Sequence, residues 1–319
     1  MLAGDYALEE IGFDIKGMIE SAGGIFVQDK VVEVKAKSRE LILQSGAKVG
    51  YDVVSFNIGS IVSSEINLSG KEDVFTVKPI YNLYRARQRI MNWPEGSPLR
   101  IAVIGGGPAA VEVVGCAWTL TNSRGLNASL EIVAGERLLK RFPERVRSIV
   151  FKSFRERGIK VIEGVRAKKV EDDKIVLENG DTIKADIIFL STGVKPPELF
   201  IKSGLPVGPD GGLLVNEYLQ SVAHPELFGG GDCIYFKPRP LEKVGVYDVR
   251  ENPVLFHNLL AALEGRPLMK FNPGSSYLLV FNLGGRKGVF WKNSLIFNGK
   301  IAFFIKDYID RRFIRRFKI

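Results

Sequence analysis

Residues 99–120 read LRIAVIGGGPAAVEVVGCAWTL, and this stretch decides the fold class. Arg100 to Ile104 is a short, mostly apolar run of strand length that ends in Gly105-Gly106-Gly107-Pro108-Ala109-Ala110, after which apolar residues recur at helical spacing. Gly105, Gly107 and Ala110 satisfy the pattern GxGxxG/A. Each small residue there has its own reason. Gly105 permits the tight turn, Gly107 lets a pyrophosphate approach the backbone, and Ala110 lets the helix pack closely on its strand, while the helix N-terminus holds the phosphates. A second strand, Ser129 to Ala134, follows about 25 residues on and completes the strand, helix and strand context that gives the motif its weight. Its end carries no clear acid for a ribose hydroxyl: Ala134 and Gly135 stand there, with Glu136 and Arg137 next, so NADH and NADPH both stay open.

Downstream and upstream of this stretch the chain repeats itself. Gly24 matches Gly158, Ile25 matches Ile159, Val27 matches Val161, Gly46 matches Gly180, Asp52 matches Asp186 and Gly59 matches Gly193, all at an offset of 134. Each copy reads as a helix leading into a strand, a hairpin turning near Gly46 or Gly180, and a buried strand, YDVVSFNIGS at 51–60 or ADIIFLSTGV at 185–194. Counting back by the same offset from Gly105 puts the first copy's own glycine turn about 30 residues before Met1. The expectation is therefore either a fragment or a chain whose first nucleotide site has been lost.

Composition narrows the class. The chain has 319 residues, 45% hydrophobic and 25% charged, which is globular and excludes disorder and a collagen-like repeat. Cys116 and Cys233 stand far apart, so a disulfide scaffold, a zinc site and a CxxC redox centre are excluded, and His224 and His257 have no metal or triad spacing. No secretory signal is visible, and the setting read is cytoplasmic. No metal and no nucleic acid are expected.

Tandem dinucleotide folds, the STG turn at 191–193 and LFGGGDC at 227–233 resemble the two-dinucleotide-binding flavoproteins of the pyridine nucleotide-disulfide oxidoreductase fold. Without a CxxC the chain is similar to type II NADH dehydrogenases, and closest to the branch found fused to, or beside, selenide, water dikinase. MLAG at 1–4, VKP at 77–79, VGVYDVRENPVL at 244–255 and KDYIDRRFIRRF at 306–317 carry that likeness. The family begins with an FAD fingerprint that this sequence does not have.

The resemblance implies FAD and NAD(P)H as cofactors, with hydride passing from nicotinamide to flavin and on to a quinone or other small acceptor. Asp232 would meet the ribityl chain, with Gly231 allowing close approach. The helix start around Gly245 would lie near the flavin ring, where its N–H groups favour negative charge. Gly59 and Gly193 close the two buried strands. Glu112 maps to the family's usual Glu; it faces the nicotinamide or is a solvated helix residue. No acid-base catalytic residue is named. The alternative is a flavin-less NAD(P)-binding or partner-binding protein.

The expected fold class is α/β: two tandem doubly wound (Rossmann-like) dinucleotide-binding domains, the first incomplete at its N-terminus, and a small C-terminal α+β region. The expected domains are 1–97 (first part of the FAD-type domain), 98–195 (NAD(P)-binding), 196–265 (second FAD-type part) and 266–319. In the last, residues 276–304 read as short strands. The following segment reads as a basic amphipathic helix with Ile305, Ile309, Phe313 and Phe317 four apart, and with Lys306, Arg311, Arg312, Arg315, Arg316 and Lys318 against Asp307 and Asp310. Such a helix can touch the inner face of a membrane, pack on its own domain or form a homodimer.

Overall fold

The apolar runs IAVI at 101–104 and IIFL at 187–190 become adjacent strands of one parallel sheet. A strand covered on both faces is apolar at every position rather than at alternate ones. The computed structural model describes residues 1–63, 66–68, 72–171 and 173–316. They form two compact units. Unit 1 holds Met1–Asp14, Val62–Gly193 and Leu278–Ile319, and unit 2 holds Ile15–Ile61 and Val194–Tyr277.

In unit 2, β1 (Val31–Lys35), β2 (Glu40–Leu43) and β3 (Lys48–Gly50) form an antiparallel sheet, followed by β4 (Val54–Phe56). In unit 1, β5 (Val74–Thr76) leads into helix α1 (Tyr81–Met91), which buries Ala86 and Ile90. Strand β6 (Leu99–Ile104), helix α2 (Pro108–Ser123) and strand β7 (Ala128–Val133) follow, then β8 (Lys160–Ile162). The second antiparallel hairpin is β9 (Ala167–Glu171), β10 (Lys174–Leu177) and β11 (Thr182–Lys184), and the last strand of the sheet is β12 (Ile187–Leu190). The order β8-β7-β6-β12-β5 is parallel throughout, with Ile104 opposite both Val133 and Leu190.

Back in unit 2, β13 (Leu227–Gly229) pairs in parallel with β4, Phe228 opposite Ser55, and helix α3 (Gly245–Glu264) packs Val254, Leu255 and Ala261 inward. Unit 1 closes with the antiparallel strands β14 (Leu279–Gly284), β15 (Lys287–Lys292) and β16 (Leu295–Gly299) and helix α4 (Lys300–Arg315).

Two expected boundaries move. Residues 62–97 lie with the glycine turn, because β5 registers on β12 with Phe75 opposite Phe189, and the region 266–319 divides between Tyr277 and Leu278, because β14 packs along α2. Helix α4 also begins at Lys300, inside the stretch read as strands, since Ala302 and Phe303 already turn into the core.

The repeat is visible as matching hairpins: β1-β2-β3 and β9-β10-β11 each carry an irregularity on the first strand. Gly46 and Gly180 share a left-handed backbone, with φ of 88° and 90°. The copies differ at the sheet. Strand β12 is paired on both edges, whereas its counterpart β4 pairs only with β13 among the described strands. Ile159 is buried and Val161 lies in β8 beside β7, while Ile25 is 88% exposed in a stretch with no strand assignment. The strand that the repeat leads one to expect around Ile25 and Val27 does not form, and among the described residues no strand lies alongside to pair with that backbone.

Candidate cofactor sites

In unit 1 the turn after β6 is set by backbone contact. Gly105 has φ of 148°, and a Cβ there would lie 2.1 Å from the Ser191 carbonyl oxygen; its N–H donates to the Val133 carbonyl at 2.9 Å. The middle glycine is as constrained, since a Cβ on Gly106 would lie 2.4 Å from the Ala134 oxygen. The motif does not demand that residue, and only the crowding of the next loop explains it. Gly107 differs: its backbone is extended at φ of −94° and no atom lies within 4 Å of its Cβ position. It caps α2 with no side-chain capping bond, Pro108 occupies the first turn, and Ala110 is fully buried. Open space above Gly107 beside an uncapped helix start is the cradle a pyrophosphate needs. Gly193, at φ of 102° after β12, also has open space at its Cβ position.

Glu112 is half-buried on α2. Its carboxylate accepts the Asn282 N–H at 2.8 Å, and burial raises its pKa against the opposing pull of Lys306. Burial alone would lower the Lys306 ammonium, but Glu112 and Asp310 hold it above its ordinary value, with Asp310 at 3.1 Å. Glu112 therefore ties α2 to the C-terminal elements. Cys116, on the same helix, is pushed up to about 12 by burial and is no reactive thiolate.

In unit 2, β13 runs into Gly230 and a single 3-10 turn over Gly231–Cys233. Gly231 takes φ of 72°, which favours glycine, and the buried Asp232 accepts the Ser60 hydroxyl at 2.6 Å. Gly59, one residue before Ser60, has φ of 65° and nothing within 4 Å of its Cβ position; the same openness holds at Gly245, the first residue of α3. Val244 caps α3 in an extended conformation without a side-chain bond.

Glu251, which sequence reading missed, is 1% exposed and accepts the Gly231 N–H at 2.5 Å. Burial first, then the charges of Asp248 and Asp232, push its carboxyl up to about 7 against the Gly231 N–H and Lys243. Its place one turn before the apolar pair Val254 and Leu255 was the available signal. Lys243 itself bonds the Ile234 carbonyl at 2.5 Å and Asp210 at 2.9 Å. The Cys233 thiol, pushed up to about 11 by burial, bonds the Phe56 and Gly230 carbonyls as a packed filler. No group of His, Cys, Asp and Glu suited to a metal occurs among the described residues.

The residues of unit 2 fit the ribityl end of FAD: a held carboxylate at Asp232, open space at Gly59 and Gly245, and a helix start. The described residues of unit 2 contain no strand and helix joined by a glycine turn like that of unit 1.

The pyridine nucleotide-disulphide oxidoreductase model matches residues 6–253. The chain belongs to that family. Among relatives, an alternative NAD(P)H-ubiquinone oxidoreductase C1 of Arabidopsis thaliana is 23% identical over 311 residues, covering 85% of this chain and 60% of the relative. A type II NADH:quinone oxidoreductase of Haemophilus influenzae is 26% identical over 228 residues, covering 65% and 51%. An FAD-dependent oxidoreductase of Flammulina velutipes is 25% identical over 311 residues and covers 92% and 90%. The chain thus spans about half to three-fifths of the length of the first two relatives. The solved sulfide:quinone oxidoreductase of Aquifex aeolicus shares the fold of this family member, with a TM-score of 0.82 at 19% identity over 99% of this chain and 81% of that one.

Proposed function

We propose that the chain is an FAD-dependent NAD(P)H:acceptor oxidoreductase with a quinone or another small molecule as acceptor. The observation that carries this is the pairing, within one duplicated chain, of two helix starts without side-chain caps and with open space at a glycine: Gly107 before α2, and Gly245 as the first residue of α3, which follows the Gly231-Asp232 turn in sequence. When bound, FAD supplies the two-electron exchange with a nicotinamide. The chain's part is positioning and electrostatics. Gly107 and the first-turn N–H groups of α2 bind the NAD(P)H pyrophosphate, Asp232 accepts a ribityl hydroxyl, and the start of α3 stabilises negative charge. Glu251 holds the Gly231 backbone, and burial pushes its carboxyl up to about 7.

The quinone is supported by the names of the two relatives above, and a selenium or sulfur species by the likeness to the branch beside selenide, water dikinase. Among the described residues no helix is long and apolar enough to cross a membrane. Peripheral contact on the inner face from a cytoplasmic setting is supported by α4, whose outer side exposes Ile301, Phe304, Tyr308 and Ile309 beside Arg312, Arg315 and Arg316. The same face could instead serve a homodimer.

A flavin-less, NAD(P)-binding protein is the second reading, favoured by the pairing of β4 with β13 alone among the described strands. The test is NAD(P)H-dependent reduction of a soluble quinone by protein reconstituted with FAD. Turnover well above that of free FAD supports the first reading. Dinucleotide binding by a protein that retains no flavin supports the second.

A further inference from the structure

We propose that unit 1 is built for the 2′-phosphate of NADPH and discriminates against NADH, with Arg137 and Arg166 as the phosphate-binding pair. This rests on the reading of the Gly105–Ala110 turn as a nicotinamide dinucleotide site. In a strand, glycine turn, helix and strand unit, the adenosine ribose ends beyond the second strand; an acid there accepts its 2′-hydroxyl, and an arginine accommodates a 2′-phosphate.

Strand β7 ends at Val133, and the next positions offer no acceptor side chain: Val133 and Ala134 are buried and apolar, and Gly135 takes φ of 69°. The loop that follows is pressed against the glycine turn. A Cβ on Gly106 would meet the Ala134 oxygen at 2.4 Å and the Arg137 oxygen at 3.1 Å, and the Gly106 carbonyl accepts the Leu139 N–H at 2.6 Å. Residues 134–139 thus border the phosphate cradle.

Two guanidinium side chains flank this exit. Arg137 is exposed within the loop, and Arg166 is brought beside it by the bridge between Gly135 and Val165, its Cγ 3.6 Å from the position of a Gly135 Cβ. The charges around them favour an anion. Five basic residues, Arg137, Lys140, Arg141, Arg147 and Arg166, stand around the loop with three acids, Glu136, Glu144 and Glu163, the last held by the Leu138 N–H at 2.5 Å and by Arg147 at 3.2 Å. Glu136 is already engaged by Lys140 at 2.7 Å, whose hydrogen bond holds the carboxyl below its ordinary value, and Glu144 is engaged by Arg137 at 2.6 Å. Among the described residues Arg141 and Arg166 have no carboxylate within ion-pairing distance. An incoming phosphate therefore meets Arg166 without breaking an ion pair, although the Arg166 charge also helps hold the Glu136 carboxyl low, and it exchanges with Glu144 for Arg137. Glu136 is the competing acceptor, but accepting a ribose hydroxyl would require it to leave Lys140.

The experiment is equilibrium binding of NADP+ and NAD+ to the purified protein by calorimetry, repeated with 2′-phospho-ADP-ribose and ADP-ribose to remove the nicotinamide. The expected result is at least about tenfold tighter binding of the phosphorylated member of each pair, since one charge-assisted hydrogen bond is worth that factor. Arg166→Ala and Arg137→Ala should each lower the NADP+ to NAD+ affinity ratio by about tenfold at unchanged thermal midpoint, because both side chains lie on the surface. Equal or tighter NAD+ binding by the unaltered protein would overturn the inference while leaving the dinucleotide site intact. So would equal loss of both ligands in the arginine variants. If neither dinucleotide binds, the reading of the glycine turn itself fails, and the inference falls with it.

Discussion

At the residue scale, the glycine turn separates structural from ligand-facing roles. Gly105→Ala adds a Cβ 2.1 Å from the Ser191 oxygen on a backbone at φ of 148°, and we expect a loss of at least about 3 kcal/mol of stability in chemical denaturation. Gly107→Ala meets open space at an ordinary φ, so stability should stay within about 0.5 kcal/mol while NADP+ affinity falls by about tenfold or more. If both variants lose stability alike, the space above Gly107 is not a ligand cradle. Glu251 gives a pH signature. Its carboxyl titrates at about 7 in the folded chain against 4.5 as an ordinary value, so the unfolded chain ionises first as pH rises. Stability is then intact below about pH 4.5 and lost as pH rises through 7, by up to about 3 kcal/mol. Glu251→Gln, which can still accept the Gly231 N–H, should flatten that slope; an unchanged slope would place the titration elsewhere.

At the element scale, α2 is fixed to β14 by backbone contact that sequence patterns do not show. A Cβ on Gly115 would lie 2.4 Å from the Leu283 oxygen, and one on Gly284 2.0 Å from the Gly115 oxygen. Arg157 stacks over Trp118 at 4.5 Å and bonds the Leu283 and Gly284 carbonyls. Gly284→Ala should therefore cost about 2–4 kcal/mol, read as a lowered denaturant midpoint, although it lies far from the glycine turn in sequence. The glycine turn and its flanking strands were legible because their spacing is local. The partners of Glu112 and Gly115 were not, since they come from residues about 170 positions away, beyond any periodicity. The C-terminal helix shows a related limit. A stripe read at every fourth residue drifts by about 40° per step. The exposed face accordingly centres on Ile301, Phe304 and Tyr308, with Ile305 partly buried; Phe317 and Lys318 lie outside the described residues. If that face meets a membrane, the protein should sediment with anionic vesicles and be released by salt, and Phe304→Ser with Tyr308→Ser should abolish sedimentation.

At the scale of the whole molecule, the offset of 134 anticipated two related halves and matching hairpins. It did not anticipate how the chain is shared between them. Residues 62–97 join the unit of the glycine turn because β5 completes its five-stranded sheet, a pairing of short strands that depends on register with β12 rather than on local pattern. The same comparison shows a difference between the copies: β12 has neighbours on both edges and β4 on one among the described strands. Whether the Asp232 turn, Ser60 and the start of α3 suffice to hold FAD is the central claim. The most direct measurement is the visible absorbance of the purified protein after incubation with FAD and gel filtration, followed by anaerobic addition of NADPH. The account predicts a retained flavin band that bleaches on addition, and a smaller band in Asp232→Asn. A colourless protein that still binds NADP+ would contradict it.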